Sequence, residues 1–84
     1  MEGIIYAIDP RRGMVVVKTT DSKFSVFELV SDDPVDLGDK VHWFQATSLG
    51  STLLTNITQN RIFQVNFQNH KVPKSQLKKQ RLID

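Results

Sequence analysis

The sequence predicts one small all-β barrel. Its 84 residues suffice for a single domain, and a chain of this length hides only about 60% of the surface that its unfolded form exposes. Segments of alternating apolar and polar residues recur about every ten residues between turn signals, a spacing typical of small barrels. No segment carries the apolar stripe of an amphipathic helix.

The first three predicted strands cover residues 3–9, 14–20 and 24–30. Residues 3–9 alternate, and the segment after them holds Pro10, which fixes φ, and Gly13, which tolerates positive φ. Residues 14–20 are rich in valine and threonine, whose β-branched side chains favour strands over helices. We therefore expect two consecutive hairpins joined by short turns.

Three further strands are predicted in the second half. Residues 31–39 are polar, hold a proline and a glycine, and lack alternation, so they are expected to form a loop. Strands follow over residues 40–47, 52–58 and 61–67. In the last of them, phenylalanine and valine at alternate positions point to one side. The strand count therefore exceeds five.

The alternation ends after the last predicted strand. Ser75 can cap a short helix over residues 76–83, but the apolar residues there form no stripe, so we expect a frayed tail or a helix of one or two turns. The predicted organisation is a five-stranded barrel over residues 1–60 with a C-terminal extension over residues 61–84. That extension holds the extra strand 61–67, followed by the basic tail or short helix.

The composition argues against several classes of function. Cysteine is absent and His42 and His70 lie in separate segments, so we predict no disulfide, no metal site and no cofactor. No serine, histidine and acid arrangement and no glycine-rich phosphate loop is visible, which predicts a protein that is not an enzyme. The chain has no apolar run of about 20 residues and no signal peptide at its start. We therefore expect a cytoplasmic protein without membrane contact.

The net charge of +2 conceals an uneven distribution. Residues 1–60 carry five basic and eight acidic side chains, a balance of −3, whereas residues 61–84 carry six basic and one acidic, a balance of +5. A basic tail of this kind either binds phosphate groups or is a solvated end of the chain. Both interpretations are open at this point.

The most specific motif spans residues 2–17, EGIIYAIDPRRGMVVV. A glycine, a hydrophobic strand, a basic turn and a second glycine follow one another, and this order resembles the opening of a cold-shock domain. The order continues through residues 37–41 (LGDKV), Gly50 and residues 56–58, so the resemblance covers about residues 2–58. It implies an OB-fold barrel that stacks nucleic-acid bases on aromatic side chains of its first three strands.

Most aromatic residues of that stacking platform are missing here. By position, the family's tryptophan falls on Ala7, and the phenylalanines of its first ribonucleoprotein motif fall on Met14 and Val16. The phenylalanine and histidine of the second motif fall on Val26 and Glu28. The resemblance therefore does not extend to the stacking platform.

An apolar surface formed by Ile4, Tyr6, Ile8, Met14, Val16 and Val26, which we call the outer patch, takes the place of the platform. Three interpretations are open, because such patches seldom stay uncovered: the C-terminal extension covers it, a second copy or another protein binds it, or nucleic acid contacts it directly. A homodimer or protein partner would use Ile4, Tyr6, Ile8, Met14, Val16 and Val26. The opposite, inward positions of the same strands are Ile5, Val15, Val17, Phe27 and Leu29. Trp43 and Phe44 are adjacent and face opposite sides, so we expect one in the core, while the outward one either stacks a base or covers a barrel end. Filling the core or capping a barrel end is the favoured interpretation for both.

These observations predict a non-catalytic module that binds single-stranded RNA or DNA mainly through charge. The alternative is a protein-interaction or self-assembly module that kept the barrel and lost the ligand face, because one fold can serve both functions. The residues expected to contact nucleic acid are Tyr6, Arg11, Arg12, Met14, Lys18, Lys23, Lys71, Lys74, Lys78 and Lys79.

Overall fold

Six antiparallel strands close into a barrel in the computed structural model, which describes residues 1–79. The elements are β1 (Glu2–Asp9), β2 (Met14–Thr19), β3 (Phe24–Leu29), β4 (Lys40–His42), β5 (Gly50–Asn56), β6 (Arg61–Val72) and a short helix, α1 (Lys74–Lys79). Around the barrel the order is β1-β2-β3-β6-β5-β4, and β4 pairs with β1. The predicted all-β barrel is confirmed, but over the described residues it has six strands rather than five.

The last strand, β6, completes the barrel wall. It pairs with β3 along one edge and with β5 along the other, and Phe63, Val65 and Phe67 are buried, as expected for a strand over residues 61–67. β6 is thus not an addition to a finished five-stranded barrel, and it continues to Val72. Alternation in the sequence did not predict residues 68–72 as part of this strand, because two register shifts against β3 interrupt the alternation after Phe67.

The strand predicted over residues 40–47 is much shorter in the structure. β4 ends at His42, and the next residue, Trp43, exchanges backbone hydrogen bonds with Met1: its N–H donates to the Met1 carbonyl at 3.0 Å, and the terminal amino group donates to the Trp43 carbonyl at 2.7 Å. Beyond this pair of hydrogen bonds the chain leaves the sheet, and Phe44 belongs to no strand.

A bulge in β1 changes which residues face the interior. The register against β2 shifts between Ile5 and Ala7, so Tyr6 is an extra residue in the ladder. Because side chains alternate with a period of two, one extra residue reverses the facing of the rest of the strand. Ile8 therefore packs against the barrel core. The prediction that Ile8 belongs to the outer patch is wrong.

Aromatic rings fill the centre of the barrel. The Phe67 ring lies 5.5 Å from the Phe27 ring and 4.8 Å from the Trp43 ring, measured between centroids. Trp43 is fully buried, which confirms its predicted place in the core, and Leu29 packs at the edge of this cluster. The main core consists of Ile5, Val15, Val17, Phe27, Val41, Trp43, Leu54, Phe63, Val65 and Phe67.

The helix α1 follows β6 almost directly. It begins at Lys74, earlier than the predicted start at residue 76, and the Gln76 N–H donates to the Pro73 carbonyl at 3.0 Å. The remainder of the helix predicted over residues 76–83 lies partly outside the described residues. Within residues 1–79, no helix is long and apolar enough to span a membrane.

A buried carboxylate organises one end of the barrel. Asp39 Oδ2 accepts hydrogen bonds from Asn56 Nδ2 at 2.9 Å, from Gln59 Nε2 at 2.7 Å and from the Asp36 N–H at 2.9 Å. Asn56 also donates to the Pro34 carbonyl at 3.2 Å. Burial by itself raises the pKa of Asp39, but the hydrogen bonds from Asn56, Gln59 and Asp36 outweigh it and hold the pKa below its ordinary value.

We expect the free energy of unfolding to fall as the pH drops below about 4. The folded-state pKa of Asp39 lies below the ordinary value of an aspartate. Its contribution to stability is therefore present above the unfolded-state pKa and is lost as the pH falls through the folded-state pKa. Asp39→Asn should lower stability at neutral pH by about 1–3 kcal/mol and flatten the acid limb of a pH series of thermal melts.

Asp32→Asn is the control, because Asp32 is exposed in the same loop. It should keep the wild-type acid limb. An Asp39→Asn protein with the wild-type dependence of melting temperature on pH would contradict the assignment.

Candidate nucleic-acid interface

The chain itself covers most of the outer patch. Val16 and Val26 point outward on β2 and β3, yet they are only 2% and 0% exposed. They belong to a second apolar cluster with Phe24, Val72 and Leu77. Of the explanations left open by the sequence, coverage by the C-terminal extension is the one seen in the structure. Val16 and Val26 are therefore not free to bind a protein partner in this conformation.

The cover comes from the end of β6 and from α1 rather than from residues 61–67. Phe63, Val65 and Phe67 point into the barrel, whereas Val72 and Leu77 provide the cover. Val72 reaches the outer side because it pairs with Phe24, an outward residue of β3 that belongs to the same cluster.

Tyr6 and Met14 have different surroundings on this side of the barrel. The Tyr6 ring packs edge-on against Phe24 with 5.0 Å between centroids and remains 37% exposed. Met14 is partly buried against the second apolar cluster. Met14 therefore supports the cover, and Tyr6 together with Ile4 forms the part of the outer patch that stays exposed.

Arg11 and Arg12 lie in the turn between β1 and β2. The Arg11 N–H donates to Asp9 Oδ1 at 3.1 Å, and an Arg12 guanidinium nitrogen lies 3.9 Å from Asp9 Oδ2. The same turn borders a cleft of about 600 Å³ that Asp32 and Asp33 also line. The two arginines therefore share their end of the barrel with carboxylates.

Lys18, Lys23 and Lys71 lie at the opposite end of β2, around the turn to β3. The Thr19 hydroxyl donates to the Asp21 carboxylate, and this bond is the main cause of a lowered Asp21 pKa, with weaker support from the Lys23 N–H and the charge of Lys71. Burial acts in the opposite direction. Asp21 thus stays ionised among these lysines and offsets part of their charge.

The lysines of α1 all point away from the barrel. Leu77 is the buried residue of this helix, and Lys74, Lys78 and Lys79 are exposed. Because Leu77 packs over β2 and β3, the helix carries three cations onto the side of the barrel where the sequence placed the ligand.

A row of side chains links these lysines to the other half of the barrel. Ile4 is the register partner of Lys18 on β2 and of Lys40 on β4. All three line a shallow cleft of about 190 Å³, and two strand spacings put the lysine backbones about 10 Å apart. Glu2 lies 3.7 Å from the Lys40 ammonium group. Lys40 was not among the residues predicted to contact nucleic acid.

Phe44 is the aromatic residue that sequence reasoning misplaced. It is 87% exposed, so the expectation that it fills the core or caps a barrel end is wrong. Its ring meets the His42 ring edge-on, with 4.9 Å between centroids. Leu53 and Ile62, on β5 and β6, are also exposed. The sequence did contain a signal for the exposure of Phe44. Its neighbour Trp43 is expected in the core, and neighbouring residues of an extended chain face opposite sides.

His70 fixes the segment that follows Phe44. Its Nε2 lies 2.7 Å from the Ser48 carbonyl oxygen, and its Nδ1 lies 2.8 Å from Ser25 Oγ. A carbonyl oxygen only accepts, so Nε2 carries the hydrogen and Nδ1 can accept from the serine hydroxyl. The ring also stacks on Phe67 with 4.7 Å between centroids. The segment after Phe44 is thereby tied to the end of β6.

No family model, curated protein or solved structure matches this chain. Among residues 1–79, no three histidine, cysteine, aspartate or glutamate side chains are placed to hold a metal ion. The candidate interface is therefore defined by the surface geometry and charge of this chain alone.

Leu77→Ala should destabilise the protein by about 2–5 kcal/mol, because it removes a fully buried side chain and leaves a cavity in the second cluster. Leu37→Ala makes the same chemical change at a leucine that is 66% exposed, and we expect a change within about 0.5 kcal/mol. Urea unfolding of both variants provides the comparison. Equal stabilities would show that α1 does not cover the outer patch in solution.

Proposed function

We propose that this protein is a non-catalytic module that binds single-stranded nucleic acid mainly through charge. One observation carries the proposal: residues 40–79 contain no aspartate or glutamate. The same residues include six cations, Lys40, Arg61, Lys71, Lys74, Lys78 and Lys79. They form β4, β5, β6 and α1, so one half of the barrel surface is built without carboxylates.

The other half has the opposite balance. Residues 1–39 carry eight acidic and four basic side chains. A polyanion is therefore attracted to the half formed by residues 40–79 and repelled from the loop that holds Asp32 and Asp33. Lys18 extends the cationic half through the row that it forms with Ile4 and Lys40.

The resemblance to cold-shock domains supports the same class of ligand. A closed β-barrel whose first three strands form consecutive hairpins agrees with an OB-like fold, and such barrels bind single strands in basic grooves. The missing platform aromatics and the position of Leu77 over the outer patch favour binding through phosphate contacts.

A protein-interaction or self-assembly module is the second candidate function. The observation that favours it is the exposure of large apolar side chains on the β5–β6 side, where Leu53 is 62% and Ile62 is 70% exposed. Such a surface on a small barrel also suits a protein partner.

Binding of an unstructured oligonucleotide should weaken steeply with salt. About four to six phosphate contacts give a slope of roughly −3 to −4 for the logarithm of affinity against the logarithm of salt concentration. The double variant Lys74→Ala, Lys78→Ala should flatten the slope by about 1.4, for two lost contacts, and weaken binding to all sequences alike. Fluorescence anisotropy at several salt concentrations measures both quantities.

The comparison is Arg11→Ala, Arg12→Ala, which removes the same number of charges from two other predicted contacts, at the end of the barrel that carries carboxylates. Because Asp9 lies beside both arginines, this variant should flatten the slope less than the lysine variant does. Equal losses from both double variants would show that net charge alone acts, and an affinity indifferent to salt would contradict the proposed function.

A further inference from the structure

Phe44, Leu53 and Ile62 form an exposed apolar surface, which we call the Phe44 face. Leu53 pairs with Gln64, and Ile62 pairs with Thr55 two residues along, so the two apolar side chains are diagonal neighbours on the outer side of β5 and β6. Phe44 and Leu53 line one shallow cleft of about 250 Å³. The three side chains thus cross the barrel from the end of β4 to β6.

The backbone that carries Phe44 is held in place without a ligand. Its neighbour Trp43 is fully buried, and both the N–H and the carbonyl of Trp43 form hydrogen bonds with Met1. The Phe44 ring contacts the His42 ring in a T-shaped arrangement with 4.9 Å between centroids, and the residue is 87% exposed, so most of the ring is accessible to a base. A residue on a fixed backbone segment loses little backbone freedom on binding.

The charges around the Phe44 face select its occupant. Lys40 precedes His42 by two residues on the same side of β4, and Arg61 directly precedes Ile62. The outward neighbours on β5 and β6 are uncharged hydroxyl and amide side chains, Ser51, Thr55, Gln64 and Asn66. An apolar ring, amides that can pair with base edges, and two flanking cations complement a polyanion with exposed bases, although Glu2 lies 3.7 Å from the Lys40 ammonium group and offsets part of its charge.

We propose that the Phe44 face stacks the unpaired bases of a single-stranded nucleic acid, with Phe44 as the stacking ring and Leu53 as the wall of the base pocket. This inference rests on the proposed function and adds the place and chemistry of base contact. It moves that contact from the outer side of β1, β2 and β3 to the end of β4 and the outer side of β5. Duplex bases are already stacked on one another, so the surface favours single strands.

The test compares two probes that differ only in bases. One is an oligothymidine of about twelve nucleotides, and the other is an abasic deoxyribose-phosphate strand of the same length. Phe44→Ala should weaken binding of oligothymidine by about 5- to 100-fold, the loss expected for stacking one base. Its affinity for the abasic strand and its salt slope should stay at wild-type values, and Phe44→Trp should restore oligothymidine binding.

Two further variants locate the effect. Tyr6→Ala tests the exposed remainder of the outer patch, and Leu37→Ala removes an exposed apolar side chain from the acidic loop as a control. Phe44 is too exposed for its truncation to disturb folding, and the melting temperature of each variant checks this. A loss seen in Phe44→Ala and absent from Tyr6→Ala and Leu37→Ala supports the inference.

The failure of the inference is distinguishable from that of the proposed function. If oligothymidine binds with the expected salt slope and Phe44→Ala binds as wild type does, the inference is wrong and the proposed function stands. If neither probe binds at about 50 mM salt, the proposed function is wrong. A concentration-dependent dimer that Phe44→Ala abolishes would then assign the Phe44 face to self-association and overturn the inference.

Discussion

The pairing of β6 with both β3 and β5 is the constraint on which the rest of the structure depends. Without β6, the two neighbouring strands would each expose a row of unpaired backbone groups, and the interior would lose Phe63, Val65 and Phe67. After its register shifts, the same strand presents Val72 to the opposite side, where α1 continues the cover. β6 thus contributes side chains both to the interior and to the cluster on the outer side of β2 and β3. The strand that closes the barrel therefore also determines which parts of its surface stay exposed.

The cover explains why the expected ligand face and the proposed one differ. In the family that the chain resembles, bases stack on the side of the first three strands, where Leu77 now packs over Val16 and Val26. A side chain buried under a helix cannot stack a base. The absence of aromatic residues at Met14 and Val16 therefore agrees with a surface that the rest of the chain covers. The cations of α1 remain exposed above it, so under the proposed function this side contacts phosphates, while the exposed ring of Phe44 lies on another side of the barrel.

The parts of the fold that alternation encodes were predictable from the sequence: the first three strands, the inward facing of Ile5 and Val15, and the buried residues of β6. The bulges were not, because an extra residue at Tyr6 or after Phe67 leaves no mark in composition, yet it reverses the facing of the side chains that follow it until another register shift. The end of β4 coincides with the hydrogen bonds between Trp43 and Met1, residues far apart in the sequence, and no local pattern records such a contact. For the same reason the sequence located the basic residues but not the exposure of Phe44.

The carboxylates are distributed unevenly, so one half of the barrel is acidic and the other is basic. Asp39 is the last carboxylate before the stretch without acids, and it is buried among three hydrogen-bond donors at the barrel end. Its charge therefore stabilises the join between the loop and β5, and the lysine that follows it, Lys40, points outward beside His42. The chain thus changes from acidic to basic at the point where it enters β4, and the exposed ring of Phe44 comes four residues later. The cations and the Phe44 face consequently lie on the same half of the barrel, as the proposed binding of a ligand with both phosphates and bases requires.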